Sequence, residues 1–95
     1  MAKLNLLGQV KQIGSVEEYG QNGFKKRELI LKTVEEYPNV YIIEFTGNNV
    51  DLLDSAEVGK NVKVTCKLAG REHTNDEGKY NVFMSLKGWN IEPII

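Results

Sequence analysis

Apolar and polar residues alternate over most of this chain, and the alternation predicts five β-strands. Side chains of a strand point alternately to opposite faces, so a period of two indicates a strand with one buried face. Gly8 interrupts the first strand, and a glycine inside a strand often accompanies a bulge or a bend. The fourth strand is the clearest, with Val62, Val64, Cys66 and Leu68 expected inside. The predicted strands cover residues 3–13, 24–34, 40–46, 62–72 and 79–91.

The second and fifth predicted strands each have two distinguishable faces. Leu29 and Leu31 are expected to point inward, which turns the alternate residues of that strand outward. Those outward residues are Phe24, Lys26, Glu28, Ile30 and Lys32. In the fifth strand, one face carries Tyr80, Val82, Met84 and Leu86, and the other carries Lys79, Asn81, Phe83, Ser85 and Lys87.

Glycine, asparagine and proline separate these strands and place one short helix among them. Asn48 or Asn49 is expected to cap a helix that continues to about Ala56. Val50 and Leu53 have the spacing of a buried helical stripe. Loops are predicted at residues 14–23 and 73–78, and turns at residues 35–39 and 58–61.

The order of these elements is strand, strand, strand, short helix, strand, strand. Five strands with a helix between the third and the fourth are typical of the OB-fold, a small Greek-key barrel. An open sandwich and an SH3-like barrel are the structural alternatives, and the position of the helix favours the OB-fold. We therefore predict an all-β protein, a five-stranded OB-fold barrel that forms a single domain over residues 1–95.

Composition and charge narrow the classes of function. The 95 residues carry a net charge of −1, which counts mildly against a nucleic-acid partner. A central block, residues 35–58, carries six acidic residues and no Lys or Arg, whereas basic residues outnumber acidic ones on both sides of it. A basic face made from the first and last strands is therefore still expected. The single cysteine excludes an internal disulfide and fits a reducing cytoplasm, and we expect no signal peptide and no membrane span.

No pattern in the sequence predicts catalysis or metal binding. The lone histidine, His73, borders a polar loop without an evident nucleophile or orienting group, so we interpret it as a solvated side chain. One histidine and one cysteine, Cys66, do not make a usual zinc site, and the glycine-rich phosphate-binding patterns do not occur. We expect no enzyme activity, no metal and no cofactor, with Cys66 as a small core residue.

Two clusters of aromatic and basic residues favour nucleic-acid binding. The triplet Lys25-Lys26-Arg27 opens the second strand beside Phe24, and Arg27 is expected near the rim of the first loop. Phe83 lies among lysines on the polar face of its strand, which suits base stacking combined with phosphate contacts. The alternatives are a solubilising run that protects a strand edge, and packing of Phe83 against a loop or a second subunit.

The remaining aromatic residues are more ambiguous. Tyr19 and Tyr37 lie in a loop and a turn, where each can clamp a bound strand or fold over its own hairpin. Tyr80 and Trp89 have the pattern of core residues, although tryptophan is also a common stacking platform. Arg71 can contact phosphate or pair with a nearby carboxylate.

Four segments in a fixed order carry a family resemblance. They are FKKRELILKT at 24–33, Tyr37-Pro38, IEFTGNNVDLL at 43–53 and VGKNVKVTCKLAGRE at 58–72. In this order they resemble the small single-stranded-DNA-binding OB-fold proteins of bacteria and their phages, and more narrowly a family of this length from Bacteroidetes and their phages. The acidic tail usual in the bacterial proteins is not matched by WNIEPII, so recruitment of replication partners through such a tail is not expected.

We predict a non-enzymatic protein that binds single-stranded DNA with little sequence preference, and the resemblance implies protection of that DNA in replication, recombination or repair. A protein-interaction module and a cold-shock-like RNA-binding protein are the alternatives. We expect a cytoplasmic location and a homodimer that uses Ile30, Phe83 and the apolar end Ile94-Ile95. The predicted nucleic-acid-binding residues are Phe24, Lys26, Arg27, Lys32, Tyr37, Arg71, Lys79, Phe83, Lys87 and Trp89.

Overall fold

Six strands and one 3₁₀-helix, joined by loops and turns, lie within residues 3–94, the part of the chain that the computed structural model describes. Ile95, expected in a subunit contact, lies outside these residues. The elements in chain order are β1 (Leu4–Ile13), β2 (Glu17–Tyr19), β3 (Phe24–Lys32), β4 (Val40–Thr46), the 3₁₀-helix (Gly47–Ser55), β5 (Asn61–Thr74) and β6 (Tyr80–Pro93).

Five of the strands pair in a closed ring. β1 pairs with both β3 and β5, β3 continues to β4, and β5 continues to β6, all antiparallel. β4 and β6 then close the ring as a parallel pair. This connectivity, with the helix between the third and fourth strands of the ring, is that of the OB-fold. The fold predicted from the order of elements is confirmed.

The loop predicted at residues 14–23 contains an additional short strand, β2. Its three residues are exposed, so no buried face marks it in the sequence. β2 pairs with the start of β3, which places Glu17 opposite Lys26 and Glu18 opposite Lys25. Opposite charges on facing strands stabilise a pair of strands. Cross-strand charge complementarity, which hydrophobic periodicity does not detect, therefore accompanies the formation of this hairpin.

β1 changes its pairing partner midway, and Gly8 lies at the change. Its first half pairs with β5, and its second half, from Gln9 onward, pairs with β3. A Cβ atom on Gly8 would lie 2.5 Å from the carbonyl oxygen of Lys32. Glycine therefore permits the close approach of two backbones that the change of partner requires. The irregularity in pairing itself follows at Val10–Gln12.

The predicted helix is present, but its geometry and its cap differ from the prediction. It is a 3₁₀-helix with Thr46 at the N-cap and without a side-chain cap hydrogen bond, so the predicted caps Asn48 and Asn49 are wrong. Val50 and Leu53 are buried as expected. Side chains three residues apart eclipse one another in a 3₁₀-helix, so these two side chains pack together into the fold.

The core fills the ring and centres on Phe45, the largest fully buried side chain. Gly88 of β6 faces this ring, and a Cβ atom there would lie 2.6 Å from Cζ of Phe45. Cys66 is buried as predicted, and burial raises the pKa of its thiol, which keeps it protonated and poorly reactive at neutral pH. The core cluster consists of Val10, Leu29, Leu31, Ile43, Phe45, Leu53, Val62, Val64 and Cys66.

β5 and β6 continue beyond the ring as a two-stranded ribbon, residues 69–85, which we call the arm. In the described chain, arm residues pair with one another, from Ala69 opposite Ser85 to Thr74 opposite Tyr80. Leu68 and Tyr80, both expected inside, are exposed because the ring ends before they are reached. Val82 and Met84, on the same face as Tyr80, are exposed as well. The alternation of apolar and polar residues therefore continues along β5 and β6 into the arm, where neither face is buried.

Candidate nucleic-acid interface

A groove of about 800 Å³ lies between the β2–β3 hairpin and the arm. Its floor is the outer surface of the ring, where β3, β4 and β6 run side by side. Lys26, which the alternation of the second predicted strand directed outward, lies on this floor. The lining residues are Tyr19, Phe24, Lys26, Glu44, Ala69, Gly70, Arg71, Phe83, Met84, Ser85 and Lys87.

Aromatic rings stand on both sides of the groove. Tyr19 and Phe24 face each other across the β2–β3 pairing, and both are about half exposed. On the arm, Phe83 is 52% exposed and lies opposite Arg71 in the register of β5 and β6. The guanidinium carbon of Arg71 is 5.7 Å from the centroid of the Phe83 ring, within the range of a cation–π contact. Exposed rings on both walls can stack against planar groups.

A network of three charged side chains occupies the floor. Nζ of Lys87 donates a hydrogen bond of 2.6 Å to Oε1 of Glu44, and Nζ of Lys26 lies 3.7 Å from Oε2 of the same carboxylate. The ammonium group of Lys26 is also 5.9 Å from the centroid of the Tyr19 ring. With Arg71, the groove is lined by three cations and one anion, so it is basic although the chain as a whole is not.

The tyrosine hydroxyl groups near the groove stay protonated. Tyr19 donates a hydrogen bond to Glu17, which is the main reason that the pKa of its phenol is raised above the ordinary value. Tyr80, on the arm, donates to Glu72, and its pKa is raised for the same reason. A hydrogen bond donated by the neutral form stabilises that form. Both rings therefore remain uncharged at neutral pH and do not repel phosphate.

Five of the ten predicted site residues lie in this groove, and four others lie elsewhere on the surface. Lys32 lies at the far end of β3, opposite Val40, and Tyr37, in the β3–β4 turn, is 82% exposed. Lys79 lies at the tip of the arm, where its backbone N–H donates to Oδ1 of Asn75. Trp89 is exposed at the bulge between β5 and β6, so its interpretation as a core residue is wrong. The five groove residues are Phe24, Lys26, Arg71, Phe83 and Lys87.

Arg27 does not line the groove, because it shares the inner face of β3 with the buried leucines. Its Nε donates a hydrogen bond of 2.8 Å to the carbonyl oxygen of Gly14, and its Nη1 donates one of 3.3 Å to the carbonyl oxygen of Val50. Nη1 also forms a 2.8 Å ion pair with Asp54. Its side chain is 16% exposed. Arg27 therefore ties the first loop and the 3₁₀-helix to β3, and we remove it from the proposed interface.

This assignment predicts that Arg27→Met destabilises the fold without weakening ligand binding. The substitution keeps the apolar stem but leaves two backbone carbonyls without their donor, which costs about 1–3 kcal/mol of unfolding free energy. Urea denaturation gives the stability, and oligonucleotide titration of the folded variant gives the affinity. Lys25→Met, on the neighbouring exposed residue, is the matched control. Reduced affinity with unchanged stability would return Arg27 to the interface.

Glu44 was missed in the sequence, and Tyr19 was recognised only as an ambiguous loop residue. Glu44 lies between the buried residues Ile43 and Phe45, so the alternation of β4 already directs it outward. Its position beside Lys87 depends on the parallel pairing of β4 with β6, which joins residues distant in sequence. Tyr19 reaches the groove through β2, the strand that the hydrophobic pattern does not indicate.

Residues 3–94 contain neither a metal-binding cluster nor a membrane-spanning helix. No group of three or more His, Cys, Asp or Glu side chains there could hold a metal ion. Among the helices of the same residues, none has the length and apolar character needed to cross a membrane.

Comparison with known proteins supports the fold and assigns the family. A crystal structure of the mitochondrial single-stranded DNA binding protein Rim1 from S. cerevisiae is similar to this chain, with a TM-score of 0.64 and 19% sequence identity. The match covers 98% of this chain and 94% of that one; at this identity the likeness establishes a shared fold. None of the curated proteins matches the sequence. A family model described as Domain of unknown function (DUF3127) matches residues 5–92, nearly the whole chain, which therefore belongs to that family.

Proposed function

We propose that this protein binds single-stranded DNA in the groove, without enzymatic activity and with little discrimination between most sequences. One observation carries the proposal: Phe83 is exposed under Arg71 on one wall, facing a groove whose other wall carries Tyr19 and Phe24. Aromatic rings that alternate with cations along an open groove suit a flexible chain of stacked bases and phosphates. The fold shared with a single-stranded DNA binding protein supports the same function.

Bases would stack on the aromatic walls while phosphates follow the cations. Phe83 and Phe24 are the proposed stacking residues, and Tyr19 extends the hairpin wall. Lys26, Lys87 and Arg71 are the proposed phosphate contacts in the groove, and Lys79 extends the basic path to the tip of the arm. An unpaired strand exposes both its bases and its backbone to such a groove, whereas a duplex hides its base faces.

Binding is expected to weaken steeply as salt rises. If about three or four phosphates are neutralised, the logarithm of affinity falls with that of salt with a slope of about −2 to −3, which is about 20- to 50-fold between 50 and 200 mM. Fluorescence anisotropy with labelled oligo-dT gives this slope. Absence of binding by the folded protein at 50 mM salt, or an affinity independent of salt, would reject the proposed function.

The two alternatives make different predictions in the same assay. An RNA-binding protein would prefer RNA in competition between matched DNA and RNA oligomers, because the 2′-hydroxyl distinguishes them. A protein-interaction module would bind neither oligomer. The exposed apolar side chains Val82 and Met84 of the arm, together with Leu68 at its root, are the observation that favours this second alternative.

We further propose that the protein protects exposed single strands in replication, recombination or repair in a bacterial or phage-infected cytoplasm. A homodimer is part of the proposal, because the exposed apolar face of the arm and Ile94 offer surface that a second copy can cover. Phe83, first considered for such a contact, is assigned here to the groove. Sedimentation equilibrium that shows a monomer at micromolar concentration would remove the dimer and leave DNA binding untouched.

A further inference from the structure

Glu44 is the single acidic residue in the lining of a groove that is otherwise basic. Its side chain is 17% exposed, less than the two lysines beside it. An ionised carboxylate offers about four acceptor positions, and the hydrogen bond from Lys87 uses one of them. Lys26, at 3.7 Å, is an ionic neighbour without a hydrogen bond. The carboxylate therefore keeps acceptor capacity on the groove floor.

The charge of Glu44 restricts which part of a nucleic acid can lie over it. A phosphate placed directly over Glu44 would repel the carboxylate at short distance, and the repulsion is stronger there than in bulk water. A base edge is uncharged and carries N–H donors. The arrangement therefore directs a base edge toward the carboxylate of Glu44 itself and leaves phosphates to the lysines on either side of it and to Arg71 on the arm.

We propose that Glu44 is a specificity-determining residue that accepts a hydrogen bond from the exocyclic amino group of a bound base. This proposal rests on the proposed function, since it requires a single strand in the groove. Cytosine presents an amino donor at position 4, which acidic side chains accept. Uracil and thymine present a carbonyl oxygen at the same position, and its lone pairs oppose the carboxylate. Within a generally tolerant groove, one position thus favours cytosine over uracil or thymine.

The test compares homo-oligomers of deoxycytidine and deoxyuridine, which have rings of the same size and differ in donor pattern. By competition anisotropy, the wild-type protein is expected to favour the cytosine oligomer about tenfold, the effect of one charge-assisted hydrogen bond. In Glu44→Gln the preference is expected to fall toward one, because an amide presents both a donor and an acceptor. Glu28→Gln is the matched control, since Glu28 lies 3.9 Å from the same Lys26 but does not line the groove.

A second arm changes the ligand in place of the protein. An oligomer of 2-pyrimidinone deoxynucleotides replaces the amino group of cytosine with hydrogen, and it should bind the wild-type protein about as weakly as the uracil oligomer. This arm decides the question if Glu44→Gln does not fold. Equal binding of the cytosine and uracil oligomers, or a preference that Glu44→Gln retains, would overturn the assignment of Glu44 alone. Failure of the folded wild-type protein to bind any oligomer would reject the proposed function together with this inference.

Discussion

Phe83→Ala is expected to weaken oligo-dT binding by about 5- to 150-fold, which corresponds to the loss of about 1–3 kcal/mol for one stacked base. Phe83 has the exposure that a stacking ring requires, and Arg71 covers it without burying it. The substitution leaves every cation of the groove in place. The slope of affinity against salt should therefore stay as in the wild type while the affinity falls at each salt concentration.

The control for this prediction lies one residue away. Val82 is exposed on the opposite face of the same strand, so Val82→Ala perturbs the arm to a similar degree without touching the groove. Both variants are compared with the wild type in the anisotropy titration, after circular dichroism has shown that they fold. A normal affinity in Phe83→Ala, or an equal loss in Val82→Ala, would show that the bases do not stack on Phe83.

Gly88→Ala is expected to lower the unfolding free energy by about 1–3 kcal/mol, the usual cost of overpacking a core. The new methyl group would stand 2.6 Å from Cζ of Phe45, and both neighbouring ring carbons lie within 2.9 Å. Phe45 is fully buried and cannot move into solvent, so the strand or the ring must shift. Urea denaturation, with the midpoint and the slope fitted separately, gives the effect.

A second substitution identifies the cause of this loss. Phe45→Leu removes the ring that the methyl group meets, so the double variant should be less destabilised than the sum of the two single variants, with a coupling energy of about 0.5–3 kcal/mol. Gly70→Ala is the matched control on the arm, because its added Cβ would meet no atom closer than 4.0 Å. Additive effects of the two core substitutions would show that the contact between Gly88 and Phe45 does not determine stability.

Hydrophobic periodicity predicted the ring, because each strand of the ring has one face in a shared core. Leu29 and Leu31 illustrate this: their positions fixed the inner face of β3, and both are fully buried. The same rule applies to Arg27, two residues before Leu29, but the prediction followed its charge and set it at the rim among the binding residues, whereas the structure places it on the inner face. Whether a residue occupies an odd or an even position along a strand is thus better evidence for the direction of its side chain than its residue type is.

Two parts of the molecule could not be derived from alternation. β2 has no buried face, and the charged pairs that accompany it become visible once the register with β3 is known. The arm keeps an alternating pattern outside the ring, so Tyr80 has the sequence pattern of a core residue although it is 60% exposed. Both cases depend on which residues face one another across strands, and a single sequence does not contain that information.

The arm also determines how the width of the groove depends on the rest of the fold. One wall of the groove belongs to a ribbon whose strands pair with each other beyond the ring, while the opposite wall is a hairpin anchored on β3. No residue of the core cluster lies on the arm, so a bend of the ribbon at its root near Leu68 would change the width of the groove without disturbing the packing around Phe45. Under the proposed function, such a bend would let the groove fit larger and smaller bases while the core keeps its packing.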